Sequence, residues 1–172
     1  ANKLTVNLKK SSYIIFRPLQ KRQTLDLSVK INDNLIARAN ETVFLGVILN
    51  LSWKPHILNV SRKISKSIGI IYKASFCLPS TALVTLYYSL VYPYLMYCVS
   101  VWGSTYKSNL KRIFLLQKKL IRIISKASFD THTDPLFKDL QILKFHNIYK
   151  YHTGKLMFLF TKNLLPNYFK SM

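Results

Sequence analysis

Between Lys73 and Lys107 the chain has no Asp, Glu, Lys, Arg or His, and the heart of that gap reads LVTLYYSLVYPYLMYCVSVWGS, residues 83–104. So long a charge-free run either crosses a bilayer or is buried inside a protein, and the choice sets the class of fold. Length permits a span, for which about 20 predominantly apolar residues suffice. Composition opposes it. Tyr87, Tyr88, Tyr92, Tyr94 and Tyr97 are spread along the run, whereas the tyrosines of spanning helices collect at the two interfaces. Thr85, Ser89 and Ser100 add polar groups, Pro79 interrupts the run, and Pro93 breaks a helix near its middle. No transmembrane segment is expected. The run predicts two core helices meeting at Pro93, with tyrosine rings buried and hydroxyls reaching a polar partner or the surface.

The rest of the chain is as extreme in the opposite sense. It has 172 residues, with 26 Lys plus Arg against 6 Asp plus Glu, a formal net charge of +20. Self-repulsion on that scale argues against a free-standing enzyme and for a polyanionic partner, either nucleic acid or an anionic membrane surface. Cys77 and Cys98 have no metal-type spacing and lie in apolar surroundings, so they are expected to be reduced, buried thiols of an intracellular protein. The N-terminus, ANKLTVN, starts in mid-pattern without an initiator Met or a signal segment, and a fragment of something longer is expected.

The first 50 residues read as β structure. LTVN and YIIF are short β-rich runs, the second closed by Pro18. LDLSVKI and LIARA flank Asn32-Asp33-Asn34 and predict a hairpin. VFLGVIL, apolar on both sides of Gly46, predicts a buried strand that something approaches closely. After Asn50 the pattern becomes helical. Ser52 is placed as an N-cap with Trp53 just inside, and Ile57, Val60, Ile64, Ile68 and Ile71 form an amphipathic stripe. Lys107 to Lys126 predicts a further helix with Ile113, Leu116, Gln117, Leu120 and Ile124 on its inner face. Asp134-Pro135 predicts an N-cap and first helical residue, and a last helix runs from about Leu143 to Asn163.

Catalytic constellations are missing. Asp26, Asp33, Glu41, Asp130, Asp134 and Asp139 are scattered, the four histidines share no ligand spacing, and 4 glycines supply no phosphate loop. Binding residues are plentiful. KSNLKRIFLLQKKLIRIISK carries Lys107, Lys111, Arg112, Lys118, Lys119, Arg122 and Lys126 with no acid among them. Lys118 and Arg122, four apart, repel by roughly 0.2–0.5 kcal/mol. Arg62, Lys63, Lys66 and Lys73 repeat the arrangement on the earlier helix. A mixed-charge helix would simply be solvated; with the alternating acids gone, these faces point to phosphates. Most of the nearby tyrosines are expected in the core, with stacking on bases as the lesser role.

The ordered set NKLTVNLKKSSYIIF, FLGVILNLSWKPHI, LPSTALVTLYYSLVYPYLMYCVSVWG, LLQKKLIRII and HTDPLFKDLQIL resembles the C-terminal part of a non-LTR, LINE-type (jockey-like) retrotransposon reverse transcriptase, over nearly the whole chain. The resemblance implies an α+β chain: residues 1–50 as the end of the palm, with short antiparallel strands and the primer grip, and residues 51–172 as a mainly α-helical thumb. The family's Tyr-x-Asp-Asp metal motif belongs to an earlier part of the palm, so Mg²⁺ is expected in the full-length polymerase and not on this segment. Asn7-Leu8-Lys9-Lys10-Ser11 matches the family's Asn-x-x-Lys-Thr element with Ser in the threonine place, which makes Lys10 an accessory group for departing pyrophosphate. Phe44-Leu45-Gly46-Val47 resembles the primer-grip strand, with the glycine letting the backbone approach the primer while Phe44, Leu45 and Val47 anchor the strand in the core. The implied partners are the RNA template, the DNA primer and their hybrid, together with the palm, fingers and endonuclease of the same polypeptide. The implied location is the nucleus and a cytoplasmic ribonucleoprotein. Two other readings compete: a degenerate or domesticated nucleic-acid-binding module that never polymerises, and a basic peripheral membrane protein.

Overall fold

The computed structural model describes residues 7–16 and 27–166. The LTVN run up to residue 6, Pro18 and the start of LDLSVKI lie outside them. The chain divides into two compact units, Ala1–His56 and Ile57–Met172.

Among the described residues the first unit holds six short strands: β1 (Ser12–Tyr13), β2 (Lys30–Ile31), β3 (Asn34–Leu35), β4 (Ala37–Arg38), β5 (Thr42–Phe44) and β6 (Val47–Leu49). The β2–β3 and β5–β6 pairs are antiparallel hairpins, and β1 pairs with β4 in parallel. Asn32 and Asp33 form the tip of the first hairpin with φ of 47° and 60°. Two positive φ values in a row are what a type I′ turn demands, and Asn and Asp tolerate them. The Asn34 side chain donates back to the Asn32 carbonyl at 3.0 Å.

VFLGVIL is not one buried strand. The chain reverses at Leu45 and Gly46, with φ of 47° and 79°, and the second half pairs back on the first, Phe44 opposite Val47. Gly46 serves the turn, since φ near 80° is cheap only without a Cβ. The anchoring expected of Phe44 and Leu45 is therefore absent. Both are exposed at the tip, at 62% and 73%, while Val47 alone is buried. The His56 Nδ1 accepts the Ile48 N–H at 3.3 Å, tying β6 to the helix that follows.

That helix, α1 (Lys54–Ala74), starts after Trp53, whose φ of 58° keeps it outside. Ser52 Oγ accepts the Lys54 N–H at 3.4 Å, a long version of the expected cap. The stripe Ile57, Val60, Ile64, Ile68 and Ile71 is buried throughout. Then come α2 (Ser80–Leu90), α3 (Tyr92–Met96), α4 (Val99–Trp102), α5 (Lys107–Ile124), α6 (Thr133–Asp139) and α7 (Phe145–Thr161). Pro93 lies in the first turn of α3, where its missing N–H does no harm. A second break, at Cys98 with φ of 51°, separates α3 from α4. Among the described residues no helix is long and apolar enough to cross a membrane.

The charge-free run supplies much of the core, but less evenly than its composition suggests. Tyr87 and Trp102 are fully buried, whereas Tyr88, Tyr94 and Tyr97 are exposed. Short helices cannot turn every residue inward, so only the rings at core spacing enter. Cys77 is likewise exposed, in the turn between α1 and α2, and Cys98 is half-buried; both are free thiols.

Gln117 joins three parts of the bundle. Its Nε2 donates to the Tyr87 hydroxyl of α2 at 3.0 Å and to the Leu143 carbonyl at 2.8 Å. Its Oε1 accepts the Phe145 N–H at 2.8 Å, capping α7 from another helix. Burial pushes the Tyr87 phenol far above its ordinary pKa, so it is a neutral hydroxyl throughout the working range. Beside this cluster Trp102 stacks on Phe145 with centroids 5.5 Å apart. Ser80 Oγ donates to the Ile124 carbonyl at 2.9 Å, closing the end of α5 against the start of α2.

Asp134 is inside the first turn of α6 and not at its cap, because the helix begins at Thr133. It pairs instead with Lys144 Nζ at 2.8 Å, between the starts of α6 and α7. That hydrogen bond holds the carboxyl below the ordinary carboxylate range.

Replacing Gln117 with Leu strands the Phe145 N–H, the Leu143 carbonyl and the Tyr87 hydroxyl together. At about 1–3 kcal/mol per orphaned buried group, the loss in urea-unfolding stability should reach about 3 kcal/mol or more. Tyr87→Phe removes one acceptor and should lose only about 1 kcal/mol. Equal losses for the two variants would show that the amide is not the joint. Asp134 has its folded pKa lowered, so its contribution is present above about pH 4, the unfolded carboxylate value, and disappears as the pH falls through the folded one. Asp134→Asn should therefore melt below the parent at pH 6, with the gap closing in thermal unfolding as the pH falls below the ordinary carboxylate range.

Candidate nucleic-acid interface

At 100° per residue, Arg62, Lys66 and Lys73 fall within about 40° of one another on α1, opposite the isoleucine stripe. Lys111, Lys118 and Arg122 make a matching row on α5, within about 40°, opposite Ile113, Leu120 and Ile124. Lys63 and Lys119 stand off these rows by about 80–100°. Arg62, Lys63, Lys66, Lys73, Lys111 and Lys119 are exposed, and Lys118 and Arg122 are half-buried.

Little inside the protein neutralises these cations. Among the described residues the Asp134–Lys144 pair is the one ion pair. Nor are the charges arranged for the benefit of the helices. Lys73 and Arg122 suit the negative ends of α1 and α5, but Lys54 and Lys107 open the same helices, where the dipole disfavours a cation. Soft contacts replace counter-ions. Lys63 Nζ lies 5.4 Å from the centre of the Tyr94 ring, and Lys118 Nζ 5.0 Å from that of Phe114. The Arg122 guanidinium is 5.8 Å from the Phe129 ring while its Nε donates to the Thr131 carbonyl at 2.9 Å. Lys118 and Arg122 thus each rest near a different ring, an attraction that offsets part of the repulsion of a like-charged i, i+4 pair.

A groove of about 820 Å³ runs between the C-terminal half of α1 and the end of α5. One wall carries Lys119, Arg122 and Lys126, the other Tyr72 and Phe76, and Phe129 closes the lip. Lys126 ends α5 with φ of 51°, donating to Ile123 O at 3.2 Å while Ala127 donates to Arg122 O at 3.0 Å. This is the terminal motif that usually employs glycine, and the lysine is held at the groove by it. Tyr72, Phe76 and Phe129 are additions to the residues singled out from the sequence. Their signals were available: Tyr72 and Phe76 are four apart and off the buried stripe, and Phe129 is an aromatic in the polar loop SFDTHTD.

In the first unit, Lys10 is exposed at the end of a 3-10 turn, Leu8–Lys10, and not on a strand. Phe44, Leu45, Gly46 and Val47 form the β5–β6 tip described above. Among the described residues no group of three His, Cys, Asp or Glu side chains is placed to share a metal ion.

No protein-family model matches the chain, and no solved structure matches it significantly. Curated relatives do. The RNA-directed DNA polymerase from mobile element jockey of Drosophila funebris is 31% identical over 121 residues, covering 67% of this chain and 13% of the relative. The protein of the same description from Drosophila melanogaster is 30% identical over 122 residues, with the same coverage. The probable RNA-directed DNA polymerase from transposon X-element of Drosophila melanogaster is 27% identical over 143 residues, 80% of this chain and 15% of the relative. The chain thus spans about one seventh of the length of the curated relatives it matches. By these relationships, and in agreement with its α+β order of short strands followed by helices, the chain belongs to the jockey-like, non-LTR retrotransposon RNA-directed DNA polymerases, of which it represents one segment.

Proposed function

We propose that this segment grips the RNA template and DNA primer of a mobile-element polymerase, with residues 51–172 as the thumb and residues 1–50 as the end of the palm. The observation that carries the reading is the pair of cationic rows, Arg62/Lys66/Lys73 and Lys111/Lys118/Arg122, whose members make no ion pair among the described residues. Side chains so disposed meet phosphates, which give affinity without reading sequence. The β5–β6 tip is assigned to the primer: Gly46 turns the chain there, and the Phe44 side chain is exposed beside it. Lys10 is assigned an electrostatic role towards departing pyrophosphate. Nucleotidyl transfer itself, with Mg²⁺, belongs in this reading to the rest of the polymerase, in a ribonucleoprotein that reaches the nucleus.

Fluorescence anisotropy of the chain with a blunt RNA–DNA hybrid tests the grip. If about six cations touch phosphates, affinity should fall by about 10³ between 50 and 200 mM salt. Lys111→Gln and Lys118→Gln should each lower the log–log slope by about 0.9. An affinity indifferent to salt would overturn the proposal. Anionic vesicles that bind tightly where the hybrid does not would transfer the cationic rows to a membrane surface.

A further inference from the structure

We infer that the groove between α1 and the end of α5 binds an unpaired nucleic-acid strand, stacking bases on Tyr72, Phe76 and Phe129 while Lys119, Arg122 and Lys126 hold its phosphates. This rests on the phosphate-gripping reading and adds to it an adjoining site, sharing Arg122 with the α5 row, for a different ligand, since a paired strand keeps its base faces inside the duplex and offers the aromatics nothing to stack on.

Four observations converge on that ligand. The three rings are exposed by 52%, 73% and 86%, in a bundle that fully buries Tyr87 and Trp102. Tyr72 and Phe76 meet edge to face with centroids 5.2 Å apart, so they form one aromatic surface along the groove. The facing wall is cationic, and no acid is among the residues lining the groove. Alternating rings and cations is the arrangement that holds single strands: the charge follows the backbone, and each ring takes a base whatever its identity.

The third observation is Arg122. Its Nε is fixed on the Thr131 carbonyl and its plane is near Phe129, and among the described residues neither Nη has a partner. The head is thus positioned in advance with donors to spare for a phosphate. The fourth is Gly69, which lines the groove from the middle of α1. A Cβ added there would meet nothing within 4 Å, so internal packing gives no reason for a glycine. Glycine inside a helix is destabilising relative to alanine, and close approach of a flat ligand to the helix backbone accounts for it. The groove volume of about 820 Å³ is that of a site for a small ligand, room for a few nucleotides and too little for a folded partner.

The test measures anisotropy of the whole chain with three probes: a short oligouridylate, the matching oligothymidylate and a blunt RNA–DNA hybrid. Phe129→Ala and Tyr72→Ala should each weaken single-strand binding by about 5- to 100-fold and leave the hybrid nearly unchanged. Gly69→Ala should raise the melting temperature while weakening the single strand, which separates lost binding from lost folding. Lys126→Gly should also raise it, while weakening the single strand and leaving the hybrid nearly unchanged. Comparable losses on the two oligomers would mark base and phosphate as the recognised chemistry, and a loss confined to one would name the strand as RNA or DNA. Single-strand affinity untouched by both aromatic substitutions would overturn the inference while the hybrid's salt dependence stands. Failure to bind any probe would remove the phosphate reading as well.

Discussion

One side-chain amide, that of Gln117, links α5 to α2 and to the start of α7 through three hydrogen bonds of 3.0 Å or less. It sits among Ile113, Leu120, Ile121 and Ile124, so α5 turns an otherwise greasy face to the bundle and fixes its rotation with the one polar group there. Apolar packing alone is tolerant of small rotations and slips, whereas a buried amide with exacting donors and acceptors is not. Everything on the outer face of α5 inherits that precision. Were the helix free to roll, Lys111, Lys118 and Arg122 would not form a row, and Lys119 would not face α1.

The same division explains how a chain of net charge +20 folds at all. Its core is assembled from isoleucines, leucines, Tyr87 and Trp102, which are indifferent to the surface field. The cations are left outside, where water and salt screen them, and several are steadied over rings instead of carboxylates. Self-repulsion still weighs against the folded state. A polyanion that binds the fold and not the unfolded chain reverses this penalty by mass action, so the surface makes most sense when occupied.

Periodicity made most of this legible in the sequence. The isoleucine stripe of α1, the inner face of α5 including Gln117, the break at Pro93 and the Asn32-Asp33 turn all follow from spacing and turn chemistry, and each is found. The misreadings share one cause. VFLGVIL is apolar from end to end, and apolarity does not tell a buried strand from a hairpin whose tip is exposed; the positive φ at Leu45 decided it, on a residue that seldom adopts one. The tyrosines of the charge-free run failed in the same way, since composition predicts burial on average and geometry selects Tyr87 from among them. Of the interface, the cations could be read as a list and the groove could not, because it depends on two helices far apart in sequence meeting with particular faces.

Exposed apolar side chains occur elsewhere in the bundle, and the comparison shows what makes the groove distinctive. Near the end of α7, Leu156, Met157, Phe158 and Phe160 are also exposed. Among the described residues no cation–ring contact accompanies them, and nothing in the structure indicates what covers them. At the groove, exposure coincides with a concave shape, a cationic wall and a pre-positioned guanidinium, whereas the unpacked helix glycine there, Gly69, has a counterpart in Gly154 beside the α7 patch. Each coinciding feature has a mundane explanation by itself: a frayed helix end, a solvated lysine. Such explanations are independent of one another and give no reason for the features to share one site. A strand with flat bases on one side and phosphates on the other accounts for all of them together.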